Sequence, residues 1–143
     1  MSADESAADA TAAWVAGSEM MDAVYGAGFS VRLPHDDPRP FLRDTVEHLF
    51  AEVWSRPGLS IRDRRLLVIG ATAAMGRPDL IRIQTLGALR NDELDPVQLE
   101  EALLHLAYYV GWGNASAVGE GFAAALADLA ALEHNDIEKD KQS

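Results

Sequence analysis

The chain has 143 residues, of which 48% are hydrophobic and 24% are charged, as is typical of one soluble globular domain. Its 12 basic and 23 acidic side chains give a formal charge of −11. This balance argues against a nucleic-acid partner, because phosphate binding needs clustered lysine and arginine. The absence of cysteine excludes disulfides, thiolate metal sites and thiol redox chemistry.

The two ends of the chain differ in composition from its middle. Residues 1–11 are small, acidic and polar, so we expect a tail that is disordered or only weakly helical. Residues 134–143 form a second, charged tail, which leaves a single helical domain over residues 12–133. The N-terminus has no signal-peptide pattern, and no apolar run approaches the roughly 18–20 residues that cross a bilayer. We therefore predict a cytoplasmic protein without a membrane partner.

Two helices separated by an irregular connector are predicted in the first part of this domain. A weakly patterned helix covers residues 12–26, and glycines and prolines then interrupt regular structure as far as Pro40. A second helix runs from Phe41 to about Trp54, with apolar residues three or four positions apart. The first two histidines, His35 and His48, are not spaced as metal ligands usually are, either from each other or from the acidic pair Asp36 and Asp37. The sequence therefore gives no indication of a metal site here.

Four more helices are predicted after Gly58. Ile61–Met75 is almost entirely apolar in its second half, which is typical of a helix buried in the centre of a domain or in a subunit interface. Pro78–Arg90, Pro96–Val110 and the alanine- and glycine-rich Ala117–Leu132 follow. Since no segment alternates as a strand does, about six helices make an all-α domain.

The short turn before Pro96 carries helix-end signals. Asn91 is a plausible left-handed residue after the preceding helix, since asparagine tolerates positive φ. Asp95 is predicted to cap the next helix, with Gln98 reaching back to it.

Several short motifs occur in a fixed order along these helices. They are Trp54-Ser55-Arg56-Pro57-Gly58-Leu59, Arg65-Leu66-Leu67, Gly76-Arg77, Leu80-Ile81-Arg82-Ile83, Gly87-Ala88-Leu89, Pro96, and Glu101-Ala102-Leu103-Leu104-His105 through Tyr109 and Gly111. Together they resemble the carboxymuconolactone decarboxylase family, within the alkylhydroperoxidase D-like fold, over roughly Phe41 to Leu129. The resemblance implies a helical bundle of about six helices that assembles into homo-trimers or homo-hexamers.

The resemblance also implies an activity. The decarboxylase members act on a carboxylated lactone without metal or organic cofactor, and other members reduce peroxides with a Cys-x-x-Cys pair. This cysteine-free chain cannot be a thiol peroxidase. It departs from the decarboxylase pattern at Gln84, where those members have histidine, and in the turn before Pro96, which looks one residue longer and lacks the usual glycine.

Two hypotheses about function follow. The first is a cofactor-independent lyase of the decarboxylase type, acting on a small cyclic or unsaturated carboxylic acid such as a carboxylated lactone. The second is a non-catalytic binding or assembly module on the same scaffold, because Gln84 cannot carry protons as imidazole does. In the first case the Gln84 amide would hold a carboxylate or carbonyl, and in the second it would be a structural amide.

Other candidate site residues also have two interpretations. His105 lies one turn after Glu101 and could be a general acid or base that this carboxylate orients, or half of an exposed ion pair. Arg65 and Arg82 could each bind a substrate carboxylate through two hydrogen bonds. The structural alternatives for the arginines are pairs with nearby acids: Arg65 with Asp63 or Glu52, and Arg82 with Asp79.

Aromatic residues near these helix ends complete the set of candidates. Trp54, Tyr108 and Trp112, together with Tyr109, could wall an apolar pocket that carries a few polar groups. Alternatively they are packing or oligomer contacts.

Overall fold

The computed structural model describes residues 3–34 and 39–142, with the backbone alone for residues 3–8. Within these ranges the protein is helical, with six α-helices and no strand, so the all-α prediction is confirmed. The predictions for His35, Asp36 and Asp37 lie outside the described residues. The chain divides into two compact units, Met1–Ile61 and Arg62–Ser143. The predicted tails, domain bounds and assembly stay predictions.

The first unit contains an unexpected π-helical segment. Its elements are α1 (Ala3–Tyr25), a 3-10 turn (Ser30–Arg32), α2 (Pro40–Asp44) and the π-helical segment (Thr45–Trp54). A continuous α-helix was expected over the last two. Apolar spacing detects a helix here, but it does not show whether the hydrogen bonds close four or five residues apart. The buried apolar residues of this unit are Met21, Val24, Val46, Phe50 and Trp54.

The other helices belong to the second unit from Arg62 onward. They are α3 (Ile61–Ala74), α4 (Pro78–Arg90), α5 (Pro96–Val110) and α6 (Trp112–Gln142). The last helix is longer at both ends than the predicted Ala117–Leu132. Gly111, at φ 85°, ends α5 directly before α6 begins. Near the other end, His134 and Glu138 lie one turn apart with Nε2 and Oε1 3.3 Å from each other, a spacing that supports helix.

The core of the second unit is formed by α3, α4, α5 and α6 together with Leu94. Its buried members are Ile69, Ala73, Ile81, Ala88, Leu89, Leu94, Leu99, Val118, Phe122 and Ala125. Helices α4 and α6 approach closely at Gly121, where a Cβ atom would lie 2.6 Å from Ile81 Cγ2. Helix α3 buries one face only, and Leu67 on this helix and Met75 directly after it remain exposed. Among the described residues the helix is therefore not buried all round, and its burial in a subunit interface, the other expectation, stays a prediction.

Helix α6 meets the length and composition requirements of a membrane span, unlike any other described helix. It holds an 18-residue window of mean hydropathy 1.3, whereas the sequence was expected to contain no such run. Much of this hydropathy comes from alanine residues and not from a continuous run of large apolar side chains. A core helix of a soluble protein passes the same test, and α6 buries Val118 and Phe122 in the core of the second unit.

The α4–α5 turn has a different left-handed residue from the one expected. Asp92 has φ 53°, whereas Asn91 has φ −94°. The cap of the next helix is confirmed. The Asp95 carboxylate accepts from the Gln98 backbone N–H, and the Gln98 side chain accepts from the Asp95 N–H, at 2.8 and 3.0 Å.

Candidate functional site

A buried ion pair joins α3 to the α4–α5 turn. The Arg65 side chain is fully buried, and its Nε and Nη2 atoms donate to the two carboxylate oxygens of Glu93 at 2.5 and 3.0 Å. The Glu93 side chain is 11% exposed. This bidentate geometry is the strongest that arginine forms with a carboxylate. Arg65 thus makes to Glu93 the two hydrogen bonds that were predicted for a substrate carboxylate. Glu93 is also neither Asp63 nor Glu52, the two acids predicted as structural partners.

Gln84 belongs to the same cluster. Its side chain lies on the buried face of α4, and the residue is 7% exposed. Arg65 Nη1 donates to the Gln84 side-chain oxygen Oε1 at 3.1 Å and to its backbone carbonyl at 3.2 Å. The structure therefore brings together two of the predicted site residues, Arg65 and Gln84, and adds a third, Glu93.

The turn that carries Glu93 is held in place from several directions. Arg62 Nε donates to the Glu93 carbonyl at 3.0 Å, and Asn91 Nδ2 donates to Glu93 Oε1 at 3.1 Å. Asp92 supplies the left-handed residue that directs the chain back towards α3. Two features of the sequence bear on this contact. The turn before Pro96 looks one residue longer than in the decarboxylase members. An arginine in an apolar helix needs an acidic partner when it is buried. Those two signals together could have identified Glu93.

Arg82 lies elsewhere on α4 and is engaged by α6. Its Nε and Nη2 atoms donate to the Asp128 carboxylate at 2.6 and 2.5 Å, in an exposed pair. The hydrogen bond from Arg82 lowers the pKa of Asp128 below its ordinary value. Asp79, considered as the partner of Arg82, instead accepts from Arg77 at 2.8 and 2.6 Å. That hydrogen bond lowers the pKa of Asp79 to about 2.

The predicted proton carrier lies on the exposed face of α5. Glu101 and His105 are both exposed, and no hydrogen bond or ion pair joins them in the part of the chain described here. The His105 ring instead lies 5.0 Å from the Tyr109 ring. Among the described residues, no hydrogen bond or ion pair joins either of them to the Arg65–Gln84–Glu93 cluster. Within residues 3–34 and 39–142, no group of three or more His, Asp or Glu residues could hold a metal ion.

The predicted aromatic residues divide between the two units. Trp54 is buried in the first unit, where its ring stacks on Phe50 with centroids 5.8 Å apart. Tyr108 and Trp112 are exposed and meet edge to face at 5.5 Å in the second unit. For Trp54 this is the packing role that was considered as the alternative.

A largely apolar cavity of about 280 Å³ lies between α5 and α6. It is lined by Glu100, Leu103, Leu104, Ala107, Trp112, Ala115, Ser116 and Gly119. Trp112 is the one predicted site residue in its wall. Gln84, Arg82 and His105 do not line it.

Residues 39–132 match the model of the carboxymuconolactone decarboxylase family. The chain belongs to this family. The family match includes the Arg65–Gln84–Glu93 cluster, the Arg82–Asp128 pair and the exposed face of α5. The resemblance inferred from the sequence motifs is confirmed.

One curated relative is similar to part of the chain. It is a 4-carboxymuconolactone decarboxylase from Acinetobacter baylyi, 40% identical over 62 residues, which are 43% of this chain and 46% of the relative. The chain thus spans less than half the length of that relative. No solved structure matches the chain significantly.

Proposed function

We propose that the chain is a decarboxylase-type carbon–carbon lyase that uses no cofactor. Its substrate is a small cyclic or unsaturated carboxylic acid, such as a carboxylated lactone. The observation that carries this proposal is family membership over residues 39–132, and the likeness to a 4-carboxymuconolactone decarboxylase supports it. The protein is further proposed to act in the cytoplasm.

The chemistry needs an electron sink and a proton donor. When the bond between the carboxylate and its carbon breaks, CO2 leaves and the electron pair remains on that carbon. A conjugated carbonyl accepts this pair as an enolate, which a hydrogen-bond donor at the carbonyl oxygen stabilises. We assign that donor to the Gln84 amide, and delivery of the proton to the carbon to His105, with Glu101 as its orienting partner.

The two arginines differ in how a substrate carboxylate could reach them. The Arg82–Asp128 pair is exposed, so a substrate carboxylate can replace Asp128 in water at small cost. The Arg65–Glu93 pair is buried, and removing one partner there costs about 3–5 kcal/mol. Arg82 is therefore the better candidate for direct contact, while the exposed Tyr108 and Trp112 offer apolar surface to the substrate body.

A specific observation favours the alternative, a non-catalytic binding or assembly module. The α5–α6 cavity is not lined by Gln84, Arg82 or His105. In addition, the side chains of Arg65, Gln84 and Arg82 are committed to contacts within the chain. A catalytic site formed by one copy of the chain would need Gln84, Arg82 and His105 to line the same cavity.

Turnover of 4-carboxymuconolactone tests the first proposal against the second. The purified chain, its Gln84→His and Gln84→Met variants and the Acinetobacter baylyi relative would be compared by CO2 release. The lyase proposal expects activity in the wild type and a large loss in Gln84→Met. Activity in the Gln84→His variant and none in the wild type would favour the module.

We also propose assembly into a homo-trimer or homo-hexamer. Large apolar side chains remain exposed on α3 and α5 and directly after each of them: Leu67, Met75, Val97, Leu104, Tyr108, Tyr109 and Trp112. Exposed apolar surface, where it forms a contiguous patch, marks protein interaction sites. Light scattering after size exclusion measures the subunit number directly, and a monomer at micromolar concentration would contradict the proposal.

A further inference from the structure

We infer that the cavity between α5 and α6 binds a small organic cation, with an ammonium group at one end and an apolar ring at the other. The cavity is largely apolar, and its wall holds one carboxylate, that of Glu100, and one indole ring, that of Trp112. Of the residues assigned to the lyase reaction, Trp112 alone lines it. The cation site therefore does not depend on the lyase proposal.

Helices α5 and α6 form an antiparallel hairpin around this cavity. Leu103 and Gly119 lie opposite each other, since a Cβ atom at Gly119 would be 3.7 Å from Leu103 Cδ2. Both residues are equally far along the chain from Gly111, which joins the two helices. The floor of the cavity is formed by the buried Ala107 and Ala115, whose small side chains leave a volume of about 280 Å³ unfilled. Such a volume suits a small ligand with an apolar body.

The polar side chains of the cavity favour a cation over an anion. Among the described residues that line it, Glu100 is the charged one, and no hydrogen bond or ion pair within the described ranges engages its carboxylate. Ser116 donates its hydroxyl proton to the Trp112 carbonyl oxygen at 3.0 Å, so it has no proton left for a carboxylate. An anionic ligand would meet an unpaired negative charge in a chain whose formal charge is −11. An ammonium group would neutralise that charge.

The positions of Glu100 and Trp112 set the order of groups along the ligand. Glu100 precedes Ala107 by about two helical turns, which is about 10 Å along α5. Trp112 lies at the other end of the cavity, directly after Gly111, where its ring meets the Tyr108 ring edge to face at 5.5 Å. An ammonium group beside Glu100 and a flat apolar group against the Trp112 indole can bind together when several methylenes separate them. The ligand class is therefore an arylalkylamine or a similar cation.

The test uses three probes that share one apolar body and differ in the charge of the head group: 4-phenylbutylamine, 4-phenylbutanol and 4-phenylbutanoate. Each probe is titrated into the full chain at neutral pH, and its dissociation constant is followed through the indole N–H resonance of Trp112. That resonance is assigned as the one that disappears in Trp112→Phe. Glu100→Gln removes the carboxylate of the cavity. Glu120→Gln is the matched control, since it removes the same charge from an exposed residue of α6 that does not line the cavity.

We expect the amine to shift the Trp112 resonance and to bind more tightly than the alcohol, and the carboxylate to bind most weakly. In Glu100→Gln the dissociation constant of the amine should rise about 2- to 5-fold, as for loss of a solvent-exposed ion pair. The dissociation constant of the alcohol should stay the same in that variant. Added salt should weaken binding of the amine and not that of the alcohol. Glu120→Gln should match the wild type with every probe.

Three results would overturn the cation site. The first is binding of the alcohol or the carboxylate as tightly as the amine. The second is an equal loss of amine binding in Glu100→Gln and Glu120→Gln, which would assign the effect to net charge. The third is a Trp112 resonance that no probe shifts, which would mean that a second copy of the chain or its own side chains fill the cavity. Since each readout is binding and not turnover, failure of the lyase proposal would leave these results unchanged.

Discussion

Replacement of Gly121 by alanine should destabilise the protein, whereas replacement of Gly119, two residues earlier on α6, should not. A Cβ atom at Gly121 would lie 2.6 and 2.8 Å from two side-chain atoms of Ile81 and 2.9 Å from the carbonyl oxygen of Pro78. Ordinary contact begins at 3.4 Å. Helices α4 and α6 would therefore have to separate by about 0.5–0.8 Å, in a core packed as densely as a crystal.

The expected magnitude combines two opposing contributions. Overpacking of a core typically costs about 1–3 kcal/mol, and this site is at the severe end because Pro78 contributes backbone. Alanine in place of glycine gains about 1 kcal/mol of helix propensity. The net loss for Gly121→Ala is about 1–2 kcal/mol of unfolding free energy. At Gly119 the added Cβ meets Leu103 at an ordinary 3.7 Å, so Gly119→Ala should gain about 0.5–1 kcal/mol.

Urea unfolding at one fixed protein concentration measures both changes, since assembly would make stability depend on concentration. Opposite shifts of the midpoint with unchanged slope are the expected result. Equal or greater stability of Gly121→Ala compared with Gly119→Ala would refute the close approach of α4 and α6 at this position.

Three further predictions concern the second unit, and the first compares two variants. Thr85→Val should raise the unfolding free energy by about 1 kcal/mol, because the Thr85 hydroxyl is buried and has no hydrogen-bond partner among the described residues. Thr72→Val should lower the unfolding free energy by a similar amount, because the Thr72 hydroxyl donates to Val68 O at 2.8 Å. Equal shifts of the urea midpoint in the two variants would contradict this contrast. Asp92→Gly should raise stability by about 0.5–1 kcal/mol by removing a left-handed aspartate, and a lower urea midpoint would count against it. Asp128→Asn should lower the melting temperature above about pH 5, and the difference from wild type should vanish in acid. The pKa of Asp128 is lower in the folded protein than in the unfolded chain. The ionised carboxylate therefore stabilises the fold above the unfolded pKa, and this stabilisation is lost as the pH falls through the folded pKa. A difference in melting temperature between Asp128→Asn and wild type that persists in acid would contradict this prediction.

The fold was largely predictable because helices are local structures. Apolar spacing and end signals located α4 and α5 at their observed bounds, Pro78–Arg90 and Pro96–Val110. The Asp95 cap was predicted for the same reason, since its partner is three residues away. The π-helical form of Thr45–Trp54 was not predicted, because that segment contains neither glycine nor proline to mark a change of hydrogen bonding.

The candidate site was predictable in its residue types and not in its pairings. Arg65 and Gln84 were recognised from motifs, but both are held by contacts between residues 19 or 28 positions apart. No local pattern states which acid a buried arginine will meet. Sequence alone determined an all-helical, cysteine-free member of its family with an amide at residue 84. The tertiary structure decided that Arg65 pairs with Glu93 and also donates to the oxygen of that amide, because only folding brings α3, α4 and the α4–α5 turn within hydrogen-bond distance.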